Sequence, residues 1–334
     1  VAESQSGPAA AFAGPARAIS ISSVSNRHYV GFACVVATAI GWGLNWPATK
    51  FVLAICPPLS ARGFSGLAAC IMLLTIATMR GETTAIPRQL WGRLITLSIL
   101  NVSVWMGFTT ASMLWLPAGQ AATLAYTMPI WTTMLAWPQL GEPPSPRQII
   151  ASLLGAGAVA ILVGGTGIAF DTARLPGSAL ALSAAGLFAF GTVLSKKQPI
   201  PLPPVTLTGW QVGIGSLPLL VGGLTLENAH WLAMPVVGWA ALAYTAFVSM
   251  GACYLLWFAA VRHLSASMAA VGTLLTPVVG VCASTLALGD PLTTVQVTAL
   301  VFVAVGILLA ATTRTGSADR QVYRREGRSS RASR

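Results

Sequence analysis

The sequence predicts an all-α integral membrane protein, ten transmembrane helices folded as two inverted repeats of five. Composition is the first reason. Of 334 residues 55% are hydrophobic and 8% charged, with a mean hydropathy of +0.73, so most of the surface cannot face water. Length is the second. A helix crosses a bilayer in about 20 largely apolar residues, and ten runs of that size follow one another along the chain. The third reason is internal repetition. Residues 40–50 (IGWGLNWPATK) align with 186–196 (GLFAFGTVLSK), setting Trp42 on Phe188, Thr49 on Ser195 and Lys50 on Lys196. The same offset carries Pro57 and Pro58 onto Pro203 and Pro204, and Gly63 and Phe64 onto Gly209 and Trp210. At an offset two residues longer, Trp91 meets Trp239, Pro129 meets Pro277, and Leu140, Gly141, Glu142, Pro143 and Gln148 meet Leu288, Gly289, Asp290, Pro291 and Gln296. Each half holds five apolar segments, an odd number, so the second half must enter the membrane from the opposite side. Inverted repeats of this kind build secondary transporters, with the binding site near the bilayer midplane between the halves.

The predicted spans run 29–50, 58–79, 91–112, 115–138 and 147–166 in the first repeat (29–166), then 177–196, 205–226, 236–258, 265–288 and 294–313 in the second (177–313). Spans four and nine each carry an interior proline, Pro129 and Pro277, which removes a backbone hydrogen bond and frees the carbonyls of Ala125 and Thr273. A kink at equivalent places suits gating by a carrier that rocks about its centre, while a fixed bend that only shapes packing is the plainer reading. Small residues at four-residue spacing, Ala151 with Gly155 and Gly209 with Gly213, permit close helix approach. The runs are too long and too uniform for the alternating strands of a β-barrel.

The formal net charge of +11 raises the question of nucleic acid, which the location of the charges answers. With the amino terminus inside, the inner segments hold Arg17, Arg27, Arg80, Arg88, Arg93, Arg147, Lys196, Lys197, Arg262 and seven arginines from Arg314 to Arg334, whereas the outer side keeps Lys50, Arg62 and Arg174. The positive-inside rule then puts both termini in the cytoplasm, as for a multi-pass protein of a bacterial inner membrane. The basic tail 314–334 directly follows the last span and fits anionic lipid; no folded or aromatic element accompanies it, so nucleic-acid binding is not expected. Residues 1–28, rich in Ala, Ser, Gly and Pro, read as a disordered cytoplasmic tail without a signal-peptide core. The five cysteines lack metal or disulfide spacing and read as packing residues. No metal or other cofactor is expected.

Trp42-Gly43 with Asn45, Arg62 and Phe64 after the paired prolines, Pro129, and Leu140-Gly141-Glu142 followed by Gln148 and Gly155, repeated in part as Leu288-Gly289-Asp290 with Gln296, give the chain its likeness to known proteins. On these residues it resembles an EamA-type member of the drug/metabolite transporter (DMT) superfamily, from about residue 30 to about residue 313. It departs where Gly63 separates Arg62 from Phe64, where Asp290 replaces the more usual Glu, and where no Gly follows Gln296 at the expected spacing. The resemblance implies a ten-span carrier of amino acids, metabolites or drugs, often an exporter.

Polar groups inside a membrane need a neighbouring helix or a water-filled cavity, so their faces point to a site. In span one Trp42, Asn45, Trp46 and Thr49 share one stripe, and span six answers with Phe188, Gly191, Thr192 and Ser195. Span three offers Asn101, Trp105 and Phe108, span eight Ser249 and Cys253, and span four Gln120, Thr123 and Thr127. Together they predict an aromatic cavity with a few amides and hydroxyls, suited to an amphiphilic or aromatic solute. The bland alternative is helix packing, which an amide can also serve by bonding a neighbouring helix. Trp91, Trp115, Trp137, Trp231 and Trp239 read as interface anchors, and Tyr126, Tyr244, Tyr254 and Trp257 as core. Arg62, the deepest charge, either snorkels to the surface, the simpler reading, or meets an anionic carboxylate. All eight acidic residues fall in tails or at segment ends, which favours uniport or exchange over carboxylate-based proton antiport. A scaffold or sensor and a proton-coupled drug efflux carrier remain the alternatives. An enzyme or an ATP-driven pump is not expected, because HExxH, GxSxG and the GxxxxGK[ST] phosphate loop do not occur. A homodimer stays open.

Overall fold

The computed structural model describes residues 21–53, 55–112, 114–115, 124–164, 175–229, 231, 234–288 and scattered positions from 294 to 309. All described secondary structure is helical: α1 (Ile21–Leu53), α2 (Pro58–Met79), α3 (Arg88–Ser112), α4 (Met128–Leu140), α5 (Pro146–Gly164), α6 (Leu175–Lys197), α7 (Pro204–Leu226), α8 (Val236–His263), α9 (Ala266–Gly272) and α10 (Leu275–Leu288). Six of these are whole apolar helices of membrane-crossing length, α1, α2, α3, α6, α7 and α8. The ten uninterrupted spans of the sequence reading are therefore not all present among the described residues. Span nine is two helices, α9 and α10, separated at Thr273 and Leu274, and only the later part of span four, α4, is a described helix of any length. Span ten appears only as scattered helical positions, and both the tail 314–334 and residues 1–20 lie outside the described residues. A second correction concerns the amino-terminal tail, which is helical from Ile21 rather than irregular through residue 28. Once a span is helical, each further residue adds a hydrogen bond without a new nucleation cost.

The centre of the fold is the pairing of α2 with α7, equivalent helices of the two repeats that lie antiparallel. Gly223 faces Ser60, Gly63 faces Leu220, Gly66 faces Ser216, Gly213 faces Cys70 and Gly209 faces Leu73. Nothing larger than glycine fits at Gly63, where a Cβ would meet the Leu220 backbone, 2.6 Å from its nitrogen. Small residues thus bring two backbones into contact where lipid offers no hydrophobic drive. Carboxylates close both ends of the pair. Glu227, just past α7, accepts from the N–H groups of Leu59 and Ser60 at 3.0 and 2.8 Å, while Glu82, just past α2, accepts from the N–H of Thr206 at 3.1 Å. Each repeat caps the helix that opens the other's pair, a charge-complementary use of the positive helix start.

Around this axis the repeats exchange partners. Helix α1 packs against α8 and α10, and α6 packs against α3 and α4. Gly141, at φ +66°, ends α4 in the left-handed conformation that glycine adopts without strain. The chain then turns so that Glu142 accepts from the Ala266 N–H at 3.3 Å and pairs with Lys196 at 3.5 Å; Lys196 Nζ also donates to the Leu264 carbonyl. Cys56, Cys70 and Cys253 are buried and all five cysteines are free, in keeping with packing. Trp91, Trp115, Trp137 and Trp239 are exposed on the outer surface, whereas Trp231 is half-buried and stacked edge-on against Phe64 at 4.6 Å.

Candidate functional site

Helices α3 and α8 both abandon α-helical geometry part-way, and they do so at equivalent places. The π-helical segments are Ile99–Val104 and Tyr244–Ala252, and the offset that sets Trp91 on Trp239 carries the first onto 247–252. A π segment adds a residue to the turn, swings side chains off the regular stripe, and is enriched at functional sites. Asn101 lies in one and Ser249 at the matching position in the other.

Four helices then bring aromatic rings together. Trp105 from α3 lies 4.8 Å from Phe188 of α6, Phe188 lies 5.8 Å from Trp257 of α8, Trp257 lies 5.9 Å from Trp42 of α1, and Trp42 meets Tyr254 of α8 edge-on at 5.5 Å. Trp42 and Trp105 are half-buried, and Phe188, Tyr254 and Trp257 are fully buried. Polar groups tie the cluster to the π segments. The Trp42 indole N–H donates to the Ser249 carbonyl at 3.0 Å, and the Tyr254 hydroxyl donates to the Asn101 carbonyl at 3.1 Å. Asn101 Nδ2 donates to Ser195 Oγ at 3.2 Å, and its amide lies so close to Gly191 that a Cβ there would sit 2.5 Å from Oδ1.

Of the predicted site residues, contacts join Trp42, Asn101, Trp105, Phe188 and the Ser249 carbonyl, and Thr192 is buried one turn along α6 from Phe188. Asn45 has a different fate: its Nδ2 donates to Thr49 one turn along α1 and its Oδ1 accepts from Thr245 of α8, both at 3.0 Å, so both ends of its amide are engaged. The Trp46 side chain and Gln120 lie outside the described residues. Pro129 is the second residue of α4 and Pro277 the third of α10, so each proline marks a helix restart rather than a bend inside one helix. The Thr273 carbonyl accepts from the Thr276 N–H at 2.9 Å, a tighter turn that takes up the acceptor freed by Pro277.

Tyr254 and Trp257, expected in the core, are fully buried there, and their rings form part of the aromatic cluster. Their three-residue spacing is a face signal, but the ring they meet, Trp42, is on a helix of the other repeat, which spacing within one helix does not reveal.

Three buried polar atoms around the cluster have no hydrogen-bond partner among the described residues: Asn101 Oδ1 on α3, Thr192 Oγ1 on α6 and the Trp257 indole Nε1 on α8. An acceptor, a hydroxyl and a donor thus lie unsatisfied beside stacked rings. Left unpaired, each would cost about 1–3 kcal/mol, which a ligand or water placed there would relieve. Further unpartnered atoms, Ser65 Oγ, Gln211 Oε1 and Ser216 Oγ, lie along α2 and α7.

The model of the EamA-like transporter family matches residues 30–164 and again 175–312, two copies that together cover most of the chain. The chain belongs to the EamA-like transporter family. Similar proteins include an uncharacterized transporter, YvbV, of Bacillus subtilis (strain 168), 28% identical over 82% of this chain and 88% of its own length. Protein PecM of Dickeya dadantii (strain 3937) is 27% identical over 78% of this chain and 86% of its own. A probable amino-acid metabolite efflux pump of Salmonella typhimurium (strain LT2) is 27% identical over 84% and 93%. One solved crystal structure shares the fold with a TM-score of 0.75, at 17% identity over 86% of this chain and 96% of its own. This EamA protein is a multi-span membrane protein of transporter type, built from two copies of one repeat.

Proposed function

We propose that this EamA protein is a secondary transporter that moves small amphiphilic or aromatic solutes, amino acids foremost, by alternating access between its two halves. The unpartnered triad Asn101, Thr192 and Trp257 beside the aromatic cluster carries this reading. A solute with an apolar body stacks on Trp42, Trp105 and Phe188 while its polar end satisfies an acceptor and a donor that the protein leaves open. The antiparallel α2 and α7 support inverted repeats, and the helix restarts at Pro129 and Pro277 supply two breaks about which the halves rock. Both termini face the cytoplasm, and the basic tail rests on anionic lipid.

Exchange or uniport is the favoured energetics. Glu82, Glu142 and Glu227 are each engaged with backbone N–H groups of the opposite repeat, which gives them structural work at helix starts rather than a proton relay at the cluster. The test is counterflow of radiolabelled aromatic and aliphatic amino acids in liposomes, with and without an imposed pH gradient. Counterflow insensitive to the gradient supports the reading, gradient-driven accumulation replaces exchange with proton coupling, and no movement of any amino acid refutes the solute class.

A further inference from the structure

Arg62 is a half-buried guanidinium in the second turn of a membrane helix, and among the described residues it has neither an ion pair nor a hydrogen bond. Such a charge is expensive in lipid and normally either reaches the interface or finds a partner. The carboxylate nearest along that helix end, Glu227, is already held by the N–H groups of Leu59 and Ser60. The side of α2 that Arg62 occupies decides between the two. Phe64 is exposed and stacks on Trp231. Two residues along a helix rotate by about 200°, so Arg62 leaves α2 on the face turned away from Phe64. Leu59, three residues before it, and Ala69, seven after it, share that face, and both pack in the cluster that contains Tyr254, Trp42 and Trp105. Tyr254, in that cluster, bonds the Asn101 carbonyl through its hydroxyl at 3.1 Å.

We propose that Arg62 is the anion-binding end of the central site and takes the carboxylate of a solute whose apolar body lies against Trp42 and Trp105. The inference rests on the transport reading above and narrows it from amphiphilic solutes to those carrying a carboxylate. A guanidinium offers paired donors that match a carboxylate's two oxygens, a fit an ammonium does not reproduce. Binding the anion also removes the cost of an unpaired charge in the membrane.

The experiment compares L-phenylalanine, L-tryptophan and L-leucine with their carboxamides on wild-type protein in liposomes. Uptake is read directly, and protection of Arg62 from phenylglyoxal is read by peptide mass spectrometry, with Arg80 and Arg88 as internal controls. The acids are expected to be preferred over the amides by about tenfold or more, the scale of one charge-assisted hydrogen bond, and to shield Arg62 selectively. Arg62→Gln should abolish the preference and Arg62→Lys should retain part of it. Labelling of the wild-type chain gives an answer even where Arg62→Gln does not fold. Uptake with Arg62 equally labelled in acid and amide, or a carboxylate preference that survives Arg62→Gln, overturns the role of Arg62 and leaves the transporter standing. Wild-type protein that moves none of the six overturns the transport reading for amino acids and Arg62's role with it.

Discussion

The π-helical segments of α3 and α8 are the same device used with different chemistry. Both interrupt a crossing helix at matching positions, and both place a backbone carbonyl where an aromatic donor of α1 or α8 reaches it, Ser249 with Trp42 and Asn101 with Tyr254. Only the first carries an amide, Asn101, whose oxygen has no partner among the described residues. Both halves keep the backbone interruption at the matching place, while the side chains they carry there differ.

The central seam gives the largest expected effect on that comparison, since it holds the two halves together. Gly63→Leu should destabilise by about 3 kcal/mol or more, because overpacking against a backbone cannot relax by rotamer change; loss of the folded peak in detergent and a collapsed melting temperature check it. A melting point close to wild type would mean that α2 and α7 tolerate separation. Next comes the amide itself. Asn101→Ala should lower counterflow about tenfold, roughly 1–3 kcal/mol for a lost polar contact, with little change in melting. Ser249→Ala should do far less, since the Ser249 carbonyl rather than its hydroxyl meets Trp42. Equal losses in the two variants would make the site symmetric and remove the contrast drawn above. Smaller still, Glu227→Ala and Glu82→Ala should each cost about 1 kcal/mol through loss of a cap on the opposite repeat, read as matched shifts in thermal unfolding. Smallest and opposite in sign, Gly186→Ala in α6 should stabilise by about 0.5–1 kcal/mol, because a Cβ there meets nothing within 4 Å.

Several of these features are readable from the chain alone. The repeat offset finds the Pro129 and Pro277 pair, the small residues Gly209 and Gly213 announce a tight seam, and Gly141 marks a helix end. Polar faces in apolar spans pick out Trp42, Asn101, Trp105, Phe188, Thr192 and Ser249, all of which gather at the cluster. Asn45 shows the limit of that logic, since its stripe is the same as Trp42's, yet its amide is consumed by Thr245 from α8. Tyr254 and Trp257 are buried as their sequence suggests, but their contact with Trp42 crosses between the repeats and is not readable from spacing within α8.

Composition, span length and the internal repeat determined by themselves that this chain is a helical membrane protein of duplicated design, because apolar area and helix period are local properties that no neighbour can alter. Which helix meets which was decided only in three dimensions. The exchange of α1 and α6 between the halves and the reciprocal capping by Glu82 and Glu227 depend on residues far apart in the chain. An unpaired polar group in lipid finds its partner by geometry rather than by distance along the sequence.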